Sequence, residues 1–281
     1  MKSIRECSPV WHPFGLLRLR FDPFGWQKRW QGRGGAEDGA LATGMTNRLV
    51  VVDLARTLAL CAMAVFHFTF DLELFGHLPQ GTTVTGGWAV FARVIAGSFL
   101  FLSGVSLVLA HGKAVRWPSF RNRLLRVAGA AALVTGATLV AVPQAFIFFG
   151  ILHAIAFGSV IGILLIRAPA MLLLVLAAGV LGVNHVVALE VMNPRWLVWT
   201  GLGDRQPWTM DFVPVFPWIA AVLGGMAAAK LAERGGLWAR LPMGGPVLQR
   251  LAWPGRHSLA IYLIHQPVLI TLVWLATLGL R

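Results

Sequence analysis

The sequence predicts an all-α, polytopic membrane helix bundle with about seven transmembrane helices. Of its 281 residues, 57 % are hydrophobic and only 12 % charged, with a mean hydropathy of +0.71. A soluble domain carries about 25 % charged residues. The apolar residues also gather in blocks of about twenty, the length a helix needs to cross about 30 Å of hydrocarbon. A water-soluble enzyme and a disordered chain are both excluded. Cys7 and Cys61 lie too far apart in sequence for a CxxC-type metal pair or a disulfide framework.

Residues 1–44 differ from the rest, with seven Lys or Arg, four Asp or Glu, Trp11, Trp26 and Trp30, and no signal-peptide apolar core. They read either as a basic tail lying on the membrane surface or as an extension upstream of a start at Met45. Ala-Glu-Asp-Gly-Ala at 36–40 reads as a linker, which leaves 45–281 as the membrane domain. Seven spans follow, at 49–72, 88–110, 124–142, 146–166, 170–189, 213–232 and 258–279. The first holds Asp53, Arg56, His67 and Asp71, and the second holds Arg93. The fourth carries small residues at every fourth position, Gly150, Ala154, Gly158 and Gly162, a stripe for close helix packing. Pro214 and Pro217 suit the opening turn of the sixth.

Loop charge orients the bundle with its N-terminus inside and C-terminus outside. With the N-terminus inside, the inner connections carry twelve Lys or Arg and the outer ones, with the C-terminus, only Arg195, Arg205 and Arg281. Trp88, Trp199, Trp208, Trp218 and Trp274 then fall near the outer interface. The net charge of +13 belongs to loops facing an anionic leaflet, and no nucleic-acid motif accompanies it.

Polar residues inside a span must face protein or water, because lipid penalises them. At about 100° per residue, Asp53, Arg56, His67 and Asp71 fall within a sector of about 60°, extending over about 27 Å of helix. Histidine is the side chain whose ordinary pKa suits a base near neutral pH, which makes His67 a candidate base, with Asp71 one turn on as its orienting carboxylate. Arg56, held by Asp53, stands at the inner end, where Arg121, Arg123 and Arg126 add further cations fit for an anion. Arg93 needs a carboxylate, such as Asp71, or an anionic ligand. Asp211 precedes the sixth span, where a capping role is open to it, and His153 lies inside the fourth. His77 sits in the first outer loop. No HExxH or other metal-ligand spacing occurs, so no metal is expected.

Four segments carry a resemblance. Asp-Leu-Ala-Arg at 53–56, followed by ten residues and His67, resembles the first-helix Arg and His motif of transmembrane acyltransferases. Phe-Leu-Ser-Gly-Val-Ser-Leu at 101–107, Phe-Phe-Gly-Ile-Leu-His at 148–153 and the Ser-Leu-Ala-Ile-Tyr-Leu-Ile-His helix at 258–265 extend the likeness in order. Residues 47–278 are similar to the bacterial branch of the heparan-alpha-glucosaminide N-acetyltransferase catalytic-domain family. The resemblance implies a multi-pass enzyme of the plasma (inner) membrane. It would transfer an acyl group, usually acetyl, from cytoplasmic acyl-CoA to an extracytoplasmic glycan or small-molecule acceptor. Acetyl-CoA is then a co-substrate and no bound cofactor is implied.

The same resemblance implies acyl-CoA binding at Asp53, Arg56, Arg121, Arg123 and Arg126. It leaves acyl handling open among His67, with Asp71, and His77, nearer the position used by the lysosomal relatives, with His153 a further candidate. Arg93 and Asp211 are the candidates for the acceptor. Direct transfer and an acyl-histidine intermediate both fit. The rival reading of the same polar seam is a small transporter or proton-coupled channel, which dependence on CoA would separate from the enzyme.

Overall fold

A computed structural model describes residues 37–241 and 245–279, with side chains from Val50 onward. Leu41–Arg281 forms one compact unit. Helix α1 (Glu37–Leu74) begins inside the 36–40 stretch and continues past Met45. That stretch contains no proline and opens on Glu37 and Asp38, acidic residues that suit a helix N-terminus. Most of the expected tail, residues 1–36, lies outside the described residues.

The helices α2 (Gly86–His111), α3 (Trp117–Ala141), α4 (Ile151–Leu164) and α5 (Ala170–Val186) follow α1. A 3₁₀ turn at Glu190–Met192 and the short α6 (Arg195–Val198) lead to α7 (Val215–Arg234). The short α8 (Leu237–Arg240), α9 (Pro246–Leu251) and α10 (Trp253–Arg256) precede α11 (Ser258–Gly279). All seven expected spans are helices. Five of them, α1 from Val50, α2, α3, α7 and α11, are long and apolar enough to cross a membrane.

The other two, α4 and α5, are shorter than their apolar blocks, at 14 and 17 residues. Side-chain bonds hold the start of the fourth block off the helix. Thr138 Oγ1 accepts from the Ile147 N–H (3.0 Å), Thr135 donates to the Ile147 carbonyl (2.7 Å), and the Val213 N–H donates to the Phe149 carbonyl (3.1 Å). At the far end of α5, Val187 turns extended and the Leu189 N–H bonds the Leu202 carbonyl (2.8 Å).

The main core lies where α7 packs against α2, α4 and α5, around Leu100, Leu107, Leu173, Val222 and Met226. Glycine permits this contact. A Cβ on Gly104 would overlap the Val222 carbonyl, and one on Gly225 would overlap that of Phe101, so the α2 and α7 backbones touch. The small-residue stripe of α4 serves the same packing, with Gly158 against Val222 and Gly162 against Leu107 and Met226.

Helix α1 is joined to the C-terminal helices near its middle. The Gly255 N–H donates to Thr57 Oγ1 (3.0 Å), and a Cβ at Gly255 would overlap the Asp53 carbonyl. At its C-terminal end the Glu73 carboxylate organises the loop to α2, accepting from the N–H groups of Gly81 (2.6 Å) and Thr83 (2.8 Å) and from the Thr83 hydroxyl (2.7 Å).

Candidate active site

The polar seam of α1 ends in two clusters. At the basic end, buried Asp53 accepts from Arg56 Nη1 through Oδ1 (2.6 Å) and faces Arg256 Nε through Oδ2 (3.4 Å). The i, i+3 spacing of α1 supplies the first contact, and the close approach at Gly255 delivers the second. Arg56 Nη2 also donates to Ser106 of α2, so the guanidinium is held by two helices. Arg123, partly buried on α3, lies within electrostatic reach of Arg56 and Arg126. Arg126 is exposed and bonds its own helix at Asn122 O (3.2 Å), and Arg121 is exposed. Two guanidinium groups, those of Arg56 and Arg256, therefore meet at one buried carboxylate, and Arg123 stands within electrostatic reach of the first.

At the other end His67 meets a second histidine. The rings of His67 and His265 are 4.9 Å apart, and Phe66 meets the His67 ring edge-on (5.6 Å). His265 Nδ1 lies 2.6 Å from the Tyr262 carbonyl. A carbonyl only accepts, so this nitrogen carries the proton and, in the neutral ring, Nε2 carries the lone pair. Next to it, Gln266 Nε2 donates to Asp71 Oδ1 (2.8 Å); only the amide nitrogen can face a carboxylate, which fixes the amide orientation. Asp71 is fully buried. Among the described residues, Asp71 Oδ2, Gln266 Oε1 and His265 Nε2 are buried without a hydrogen-bond partner.

Asp71 was expected to orient His67 or to pair with Arg93. Its hydrogen bond goes instead to Gln266 on α11, and the ring beside His67 is His265. The second half of the cluster, Tyr262, His265 and Gln266, carried no role in the sequence reading, and Arg256 and Ser106 were likewise unassigned. Tyr262 and His265 did lie in the Ser-Leu-Ala-Ile-Tyr-Leu-Ile-His segment that carries the resemblance. That segment was their one signal.

The other candidates lie apart from the pair. His77 Nε2 is 2.7 Å from Thr277 Oγ1 at an exposed junction of the α1–α2 loop with α11. His153 has both ring nitrogens engaged, Nδ1 accepting from the Gly150 N–H (3.3 Å) and Nε2 facing Thr135 Oγ1 (3.3 Å). Because the Thr135 hydroxyl hydrogen goes to the Ile147 carbonyl, His153 donates from Nε2, and its ring fastens the turn before α4.

Asp211 also serves α4. Its Oδ2 accepts from the Ile151 N–H (2.9 Å), so it caps α4 from 60 residues away rather than the helix that follows it in sequence. Burial pushes its carboxyl up to about 6, with the Ile151 bond pulling the other way. Arg93 and Asp211 line one cavity of about 560 Å³ together with Arg205, Gln206, Asn184 and Trp218. Tyr262 is within electrostatic reach of Asp211 and 5.6 Å from the His265 ring. A second cleft, lined by Ala55, Leu58, Ala59 and Ala62, lies on the face of α1 turned away from the polar seam and is apolar. No group of three or more metal-ligating side chains occurs among the described residues.

The family model described as heparan-alpha-glucosaminide N-acetyltransferase, catalytic, matches residues 48–267. No curated protein and no solved structure matches the chain.

Proposed function

The chain belongs to the heparan-alpha-glucosaminide N-acetyltransferase catalytic family, membrane acetyltransferases with acetyl-CoA as donor, and from that premise we propose how its two polar clusters divide the reaction. The guanidinium cluster at the basic end of α1 holds the phosphates of acyl-CoA on the cytoplasmic face. The histidine end receives the thioester, and an extracytoplasmic hydroxyl or amine, of a glycan or a small molecule, takes the acyl group there. The orientation rests on the charge bias, twelve inner-loop cations against three outer ones, and the setting is a bacterial inner membrane.

The observation that carries this reading is the separation of the two clusters on one helix. Arg56 and His67 are eleven residues apart, about 16 Å along α1 at about 1.5 Å per residue, a distance the pantetheine arm can span. His67 acts on the acyl group as general base or acyl acceptor. Asp53 holds Arg56, Arg123 and Arg126 add charge beside it, and Arg121 attracts the nucleotide from the exposed start of α3. Arg93 and Asp211, on their shared cavity, serve the acceptor. Asp71, bonded to Gln266, stands beside the histidine pair. His77 and His153 act only if His67 does not.

Sealed proteoliposomes test donor and sidedness together. Acetyl-CoA should release free CoA only when supplied to the face on which protease cuts the 235–257 segment, with a C-terminal tag protected on that face. Release from the opposite face would reverse the orientation. No release from either face would remove acyl-CoA chemistry.

A further inference from the structure

We propose that His265 is the base that takes the acceptor's proton, that His67 carries the acyl group, and that Asp71 Oδ2 and Gln266 Oε1 bind the acceptor through its own N–H or O–H donors. The proposal rests on the acyl-transfer reading above.

Three buried acceptor atoms without a donor lie on adjoining residues of two facing helices. Leaving such atoms unpaired is costly, and the cost disappears when a ligand supplies hydrogens. All three atoms accept and none donates. The ligand that fits is therefore a donor-rich nucleophile, an amine or a polyol, rather than a carboxylate or phosphate. The Tyr262 carbonyl fixes the His265 tautomer with its lone pair on Nε2, the form a proton acceptor needs. Arg56, by contrast, stands about 16 Å from His67 along α1, so anionic donor and acceptor enter chemically distinct environments.

The two steps balance. A ring nitrogen of His67 bonds the acyl carbon, the carbon–sulfur bond breaks, and the proton displaced from the acylated ring goes to the thiolate. The acceptor's oxygen or nitrogen then bonds the acyl carbon while its proton passes to His265 Nε2. The bond from carbon to His67 breaks, and the proton on His265 is returned to the ring nitrogen of His67.

The test is a label chase on the full-length protein in lipid nanodiscs, using [¹⁴C]acetyl-CoA as donor and water or ethanolamine as the nucleophile. The variant is His265→Asn, whose amide can keep the bond to the Tyr262 carbonyl while removing the base. His265→Asn should release one CoA per chain and retain label on the protein, losing it about 100-fold more slowly than the wild type. Equal rates of label loss would overturn the proposal, as would a variant that neither releases CoA nor takes up label, because His265 would then act before the acyl group moves. A wild type that cleaves no acetyl-CoA would remove the acyl-transfer reading itself. Solid-state NMR of ¹⁵N-histidine wild-type protein gives a readout independent of the variant's folding: His265 should be protonated at Nδ1 and bare at Nε2, and a proton on Nε2 in the neutral ring would overturn the proposal.

Discussion

Arg56 directs Nη1 to Asp53 and Nη2 to Ser106, a fork that leaves further N–H donors for a phosphate. Lysine has a single ammonium centre and cannot bridge both helices while also meeting an anion. Arg56→Lys should weaken acetyl-CoA binding by about tenfold, the scale of one charge-assisted hydrogen bond, as measured by equilibrium binding in nanodiscs; unchanged affinity would take Arg56 out of the donor site. Asp211 makes a pH prediction. Its folded carboxyl titrates near 6, above the ordinary value of about 3.9, so the unfolded chain releases that proton first. The contribution of Asp211 to stability is therefore complete below about pH 4 and falls as pH rises through 6, with a ceiling of about 3 kcal/mol for about two pH units. Asp211→Asn keeps an acceptor for the Ile151 N–H and cannot ionise. Thermal unfolding between pH 4 and 7 should thus fall more steeply in the wild type than in Asp211→Asn, and parallel curves would contradict the burial of this carboxyl.

At the scale of elements, α1 was legible because a helix repeats every 3.6 residues, so spacing alone puts Asp53, Arg56, His67 and Asp71 on one face. The partner half of the site was not legible in the same way. His265 and Gln266 reach His67 and Asp71 across about two hundred residues of sequence, and no local period encodes which helix lies opposite. Arg256 was counted as a loop charge for the same reason, since its ion pair with Asp53 depends on α10 closing on α1 at Gly255. The ends of α4 were misjudged because hydropathy continues through 146–150 while threonine side chains and the Phe149–Phe212 bridge hold that backbone away from the helix. Asp211 shows the same limit: its sequence neighbours point to α7, and its bond goes to α4. The α2–α7 contact yields a prediction. Gly225→Val places a side chain where the Phe101 carbonyl stands, and should cost about 1–3 kcal/mol of stability, read as a lower unfolding temperature in detergent; an unchanged temperature would mean the backbones can separate freely.

Across the whole molecule, the apolar blocks of a chain with 12 % charged residues foretold the seven apolar helices, five of which are long and apolar enough to cross a membrane. The two polar clusters stand on one helix: α7 packs α2, α4 and α5 into one core, and α1 joins the C-terminal helices at Asp53 and again at Asp71. A fixed spacing between phosphate-binding cations and the acyl-handling histidine is the central claim, and it separates binding from chemistry on a single helix. Paired measurement of acetyl-CoA affinity and single-turnover CoA release in His67→Ala, in lipid nanodiscs, tests it most directly. Affinity should match the wild type within about twofold while CoA release falls by at least about 100-fold, the scale of a lost base or nucleophile; release at the wild-type rate would contradict it.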